Sequence, residues 1–192
     1  MGKFLLGIIV GIILIAAVVF GYFYFGYAPV ATAAMPMPLE KKMAAWGLHA
    51  QLAKAASLKP PFEPTEDDYH AGALLYREHC AACHGLPGQQ RTAIAKGEYP
   101  RPPQLYQHGV TDDPAGETYW KVANGIRMTG MPGFKNSLDD KQLWQVSLLL
   151  ANADKVPASV NDVLKRPLPM DAPPSSDTAA SAASNTASKP AR

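Results

Sequence analysis

Both cysteines of this 192-residue chain fall within one pentapeptide, Cys80-Ala81-Ala82-Cys83-His84. On a helical turn, residues three and four apart share a face. The two thiols and the imidazole therefore project together from a single turn. Such a triplet can hold one flat partner at two edges and at its centre. Covalent haem attachment needs this arrangement: thioethers from Cys80 and Cys83 to the two vinyl groups, and a nitrogen of His84 on the iron. The C-x-x-C-H spacing reads as c-type haem attachment. A chain built around this turn has to bury a haem and expose one edge of it.

Three rival readings fit less of the pattern. A C-x-x-C redox dithiol belongs beside a βαβ unit, and the surrounding sequence shows no strand pattern. A structural zinc site needs four nitrogen or sulfur ligands, and there is no second Cys/His pair at suitable spacing. A plain disulfide would suit an oxidising compartment but gives His84 no role.

The N-terminus sets a second constraint. Phe4 to Phe25 is a run of 22 residues without a charge, enough to cross roughly 30 Å of hydrocarbon as a helix. Lys3 is the only charge before it, and Tyr22, Phe23, Tyr24, Phe25 and Tyr27 form an aromatic cluster at its far end. These features predict a cytoplasmic N-terminus and a chain that continues on the outer side of the cytoplasmic membrane. The alternative is a cleaved signal peptide with Ala31-Thr32-Ala33 as its cleavage site, but the run exceeds an ordinary signal core. Gly7-Ile8-Ile9-Val10-Gly11 matches the small-xxx-small pattern of helix dimers, a weak indication of self-association. Residues 61–166 hold eleven basic and thirteen acidic side chains, and residues 39–60 hold four lysines and one glutamate. Neither balance points to nucleic acid.

Residues 28–38 read as a linker. Residues 39–57 are rich in helix formers and place Leu39, Met43, Trp46, Ala50 and Ala53 at helical spacing. That stripe either packs on the main domain or lies in the membrane interface, with Lys41, Lys42 and Lys54 toward headgroups. Three prolines in 60–64 end the helix. A helix starting near Asp67 or Asp68 should carry the chain through His84. Residues 85–111 are dense in Gly and Pro and predict loop. Asp113 before Pro114 starts a further helix that stops at Gly125. Ser137, with Asp140 three later, resembles a capping box opening an apolar helix over 137–153. The stretch 167–192, mostly Pro, Ala, Ser and Thr, should be disordered.

Four segments, "GALLYREHCAACHG", "PPQL", "NGIRMTGMPGF" and "QLWQVSLLLAN", resemble in order and spacing the motif set of a class I cytochrome c domain over about residues 67–153. The resemblance implies an all-α domain around one covalent haem c. It implies that Met131, in the Gly130-Met131-Pro132 loop, is the second axial ligand; Met128 is the close competitor and lacks the following proline. It implies that the Pro103 carbonyl meets the other ring nitrogen of His84, and that Gly72 and Tyr76 pack against the last helix, where Trp144 is the matching aromatic. Trp120 is placed as a wall of the haem, with an ordinary core tryptophan as the alternative. His49, His70, His79 and His108 are expected to face solvent. Residues 85–135 carry six basic and four acidic side chains, too even a balance for strong electrostatic steering of a partner.

The expected organisation is an anchor at 1–27, a linker with one helix at 28–65, a mono-haem domain at 66–166 and a tail at 167–192. The expected work is one-electron transfer between protein donors and acceptors, without a catalytic residue. A fixed electron-entry subunit of a larger respiratory or dehydrogenase complex is the first alternative. A haem sensor or enzyme with a labile sixth ligand is the second.

Overall fold

The computed structural model describes residues 1–108 and 111–168. The expected disordered tail falls outside this range except for its first two residues. All regular structure among the described residues is helical, so the all-α expectation holds. Helix α1 (Gly2–Tyr24) has every residue at least partly exposed, and its 23 residues extend about 35 Å. Helix α2 (Glu40–Ala55) follows after a connection over 25–39.

The haem-domain helices begin with α3 (Glu66–His79). Thr65 caps it in a full capping box: its hydroxyl accepts from the Asp68 amide, and the Asp68 carboxylate accepts from the Thr65 amide. The start lies one or two residues earlier than the sequence reading placed it. Helix α4 (Ala81–His84) follows at once. The stretch expected to be plain loop contains two short helices, α5 (Ala93–Gly97) and α6 (Leu105–His108). Thr92 caps α5 by accepting from the Ala95 amide, a local signal that the Gly and Pro density masked.

Two further helix starts differ from expectation. Helix α7 (Ala115–Asn124) has Pro114 at its N-cap, and the Asp113 carboxylate binds Lys121 instead of capping. Helix α8 (Asp140–Ala151) is capped by Asp139 in a box with Gln142, whereas the Ser137 hydroxyl donates to the Phe134 carbonyl. Sequence reading missed α9 (Ala158–Lys165). Its buried Val160, Val163 and Leu164 pack it on the core beside α3 at i, i+3, i+4 spacing, after Pro157 at the cap. Leu168 is buried in the same core, and Arg77 donates to the Arg166 and Pro167 carbonyls, so packing continues past the expected boundary at 166.

The core forms where α3 crosses α8, with α7 and α9 against them. A Cβ built on Gly72 would fall 2.8 Å from the Gln145 carbonyl carbon and 3.3 Å from Leu149 Cβ. The two helices can approach that closely only because position 72 has no side chain. Trp144, the aromatic expected on this helix, is buried. It stacks on Tyr119 at 4.2 Å between ring centroids, which ties α8 to α7. At the end of the α3–α8 contact, the buried Asp68 accepts from Gln145 Nε2 at 3.0 Å and pairs with Lys141 at 3.1 Å. The hydrogen bonds from Gln145 and Thr65 hold this carboxyl well below the usual range, against the opposing effect of burial.

Gly72→Val should lower stability by about 3 kcal/mol through forced separation of α3 and α8, whereas Gly47→Ala, with open space at the Cβ position, should be neutral or slightly stabilising. Denaturant midpoints of the two variants check this pair. Asp68→Ala should cost roughly 1 kcal/mol or more at neutral pH through loss of the cap and the interhelix bonds. Because the folded-state pKa is depressed, that advantage is present above the unfolded carboxyl value near 4 and is lost as pH falls through the folded one. The gap between wild type and variant should therefore narrow in acid.

Candidate haem site

Cys80 joins α3 to α4 with φ −118° and ψ −37°. Its amide donates to the Tyr76 carbonyl, and its carbonyl accepts from the Cys83 and His84 amides at 3.1 and 2.9 Å. The chain bends here without losing its ladder, so the long helix expected through His84 is divided in two. Gly85 ends the turn at φ +74°, where a Cβ would also meet Gln104 Oε1 at 2.6 Å. Gln104 Nε2 donates to the Cys83 carbonyl at 3.0 Å, and the Tyr76 hydroxyl donates to the Gly85 carbonyl at 2.7 Å.

His84 Nδ1 lies 2.9 Å from the Pro103 carbonyl oxygen. A carbonyl can only accept, so Nδ1 carries the proton and Nε2 keeps its lone pair. Burial lowers the imidazole pKa, against the raising effects of the Pro103 carbonyl and of Glu98. Burial pushes the Cys80 thiol up to about 12, with Cys83 adding to the effect. Cys83 is pushed up to about 11, first by burial and then by Glu98, whose carboxylate accepts from its Sγ at 3.2 Å.

All four residues named for haem binding through sulfur or nitrogen border one cavity of about 550 Å³: Cys80, Cys83, His84 and Met131. That volume is within the range of cofactor pockets. The wall also includes Pro100 to Pro103, Leu105, Val122 of α7, Ile126 and Phe134. The loop that carries Met131 is stitched to α7. Phe134 and Lys135 amides donate to the Val122 and Ala123 carbonyls, and the Ile126 amide donates to the Met131 carbonyl at 3.2 Å. Gly125 has φ +67°, and a Cβ there would lie 2.5 Å from the Gly133 amide. Met128 sits at φ +64° and is 88 % exposed, away from the cavity that Met131 borders.

A haem fits these residues. The thiols and the imidazole issue from one turn, the imidazole nitrogen that remains free has its lone pair, and most of the lining is apolar. The charged part of the lining is Glu98, Arg101, Glu117 and the 2.8 Å ion pair of Lys121 with Asp113.

Several placements differ from the sequence reading. Trp120 is not part of the cavity wall; Glu117, Thr118, Lys121 and Val122 take that face of α7, and Trp120 is on the far side of the helix. His70 and His49 are exposed as expected, although His49 also borders the cavity; His79 is half-buried, borders the cavity and packs on Phe134 at 5.6 Å. Helix α2 contributes Leu48 and Leu52 beside His49. The stripe drawn through Leu39, Met43 and Trp46 pointed to the opposite face of α2, which is exposed.

A protein-family model described as "Cytochrome C oxidase, cbb3-type, subunit III" matches residues 67–148. A cytochrome c6 from Limnospira maxima is 32 % identical over 80 residues, covering 42 % of this chain and 86 % of that protein. The matched stretch runs from the first turn of α3 into α8 and includes the Cys80–His84 turn, the Pro103 loop and the Met131 loop. Taken with this likeness to a relative covered over most of its length, the turn and its cavity place the chain in the family of class I c-type cytochromes, which transfer electrons through covalently bound haem c.

Proposed function

We propose that this protein is a one-electron carrier, tethered by α1 to the cytoplasmic membrane with its haem domain on the outer side, and that His84 and Met131 are the axial ligands. The observation that carries the reading is the convergence of Cys80, Cys83, His84 and Met131 on one cavity, with His84 Nδ1 committed to the Pro103 carbonyl. When bound, haem c supplies a reversible Fe(II)/Fe(III) couple. The protein's part is to hold and tune it. Cys80 and Cys83 fix its edge to the chain. The Pro103 carbonyl sets the His84 tautomer and raises the basicity of Nε2. Met131 offers a soft thioether, which favours the reduced metal and raises the potential. Val122, Ile126, Leu105 and Phe134 exclude water, which acts in the same direction. With both axial positions taken by side chains, no open site is left for a substrate, so the reading is a carrier and not an enzyme.

One observation favours a second reading. The matching family model is described as an oxidase subunit, which supports a fixed electron-entry subunit of a membrane complex. Extraction in mild detergent separates the two: a free carrier purifies alone, whereas a fixed subunit comes with stoichiometric partners.

Cys80→Ser combined with Cys83→Ser should leave no haem on the polypeptide after denaturing electrophoresis. Met131→Ala should abolish the weak near-red sulfur-to-iron band and open the reduced protein to carbon monoxide. It should also lower the potential by on the order of 0.2 V, part of the roughly 0.8 V span that axial ligands set. Met128→Leu should leave all three properties unchanged; loss of the band in that variant would overturn the ligand assignment.

Anchoring by α1 predicts that the mature protein keeps its N-terminal residues and stays with the membrane after a high-salt wash. A soluble product beginning near Ala34 would identify α1 as a signal peptide.

A further inference from the structure

Helix α2 has apolar residues on two opposite faces. The inner face is fixed to the haem domain. Leu48 and Leu52 border the cavity, and Ala55 is buried where the chain passes Gly116 of α7 so closely that a Cβ on Gly116 would lie 2.6 Å from the Leu58 carbonyl oxygen. At the other end, Lys41 Nζ sits 5.8 Å from the centroid of the Tyr99 ring, in the loop before Pro103. The helix is thus held at both ends with one orientation, which leaves Leu39, Met43, Trp46, Ala50 and Ala53 pointing outward. Trp46 is 68 % exposed and Met43 64 %. Projected down the helix, Lys42 and Lys54 fall on either side of this outward stripe.

We propose that the outward face of α2 rests on the surface of the bilayer that α1 crosses, an inference that depends on the anchoring reading above. Three observations choose a bilayer as occupant. Only residues 25–39 separate α1 from α2, a connection that reaches at most about 50 Å, so the stripe is confined near the membrane. Tryptophan with flanking lysines is the composition that lies at headgroup level, ring and methionine toward the acyl boundary and ammonium groups toward phosphate. Residues 39–60 are basic, four lysines against one glutamate, which complements anionic headgroups. The consequence is orientational. The inner face of α2 walls the haem cavity, so seating its outer face on lipid turns that wall toward the membrane.

The test uses the full-length holoprotein in proteoliposomes of phosphatidylcholine with a minority of phosphatidylglycerol. Because haem consumes Cys80 and Cys83, a single new cysteine can carry a nitroxide at Ile15→Cys, Met43→Cys, Trp46→Cys or Gln51→Cys, each with an unchanged haem spectrum. Collision with oxygen, which concentrates in lipid, is compared with collision with a nickel chelate, which stays in water. The ratio of the two should be several-fold higher at 43 and 46 than at 51. It should fall toward the value at 51 when Lys42→Glu and Lys54→Glu are added. Equal, water-like ratios at 43, 46 and 51 with a lipid-like ratio at 15 would overturn the inference and leave the anchor standing. A water-like ratio at 15 as well would overturn both. Shielding of 43 and 46 from both reagents would show a protein partner or second copy on the face and overturn the choice of lipid.

Discussion

The hydroxyl of Tyr76 reaches across nine residues to the Gly85 carbonyl, and the geometry of the site depends on that closure. Tyr76 is fully buried, packed edge-on against Tyr106 at 5.4 Å. Burial raises its phenol far above the ordinary value, so the hydroxyl stays a donor at any physiological pH. The bond spans the bend at Cys80 and clamps the short turn that carries both thiols and the imidazole to the end of α3. Gly72, four residues earlier on the same helix, allows α3 to touch the α8 backbone. The position of the haem-binding turn is therefore referred to the most buried helix of the domain through one hydrogen bond and one missing side chain.

The attachment turn was legible in sequence because its information is local. Three side chains within five residues have one natural reading once they share a helical face. The Pro103 and Met131 positions were legible only by resemblance, since nothing in their own spacing says that they approach His84 or the cavity. The errors have different causes. Asp113 and Ser137 were both plausible caps, but Lys121, two turns along α7, and the Phe134 carbonyl, one turn back, hold them instead, and a motif search for caps does not weigh such local competitors. Helix α9 was passed over because eight residues between prolines carry little signal without the core that receives Val160 and Leu164. Trp120 was assigned to the haem by residue type, and helical phase put smaller residues there instead.

Helix α2 illustrates a different limit. Apolar residues on opposite faces cancel in an amphipathic reading, so sequence can find either stripe but not say which one meets protein. The structure gives the inner face to the haem cavity. That helix lies outside the stretch matched by the family model and begins well before the cytochrome motifs. The cavity of this protein is therefore walled in part by a segment that the matching family model does not cover. Leu48, His49 and Leu52 are the residues that this segment brings to the cavity.

The connection over residues 25–39 has a kinetic meaning in the proposed tethered carrier. A soluble carrier meets its partners at a rate set by its bulk concentration. A domain held on some fifteen residues explores a shell no deeper than about 50 Å, and any partner within that shell meets it at an effective concentration in the millimolar range for a short flexible link. Encounter then becomes a search in a thin layer, and strong charge on the docking face becomes dispensable. The near balance of six basic and four acidic residues in 85–135 is what such a carrier can tolerate. The length of the connection, more than surface charge, would then decide which complexes the haem can serve.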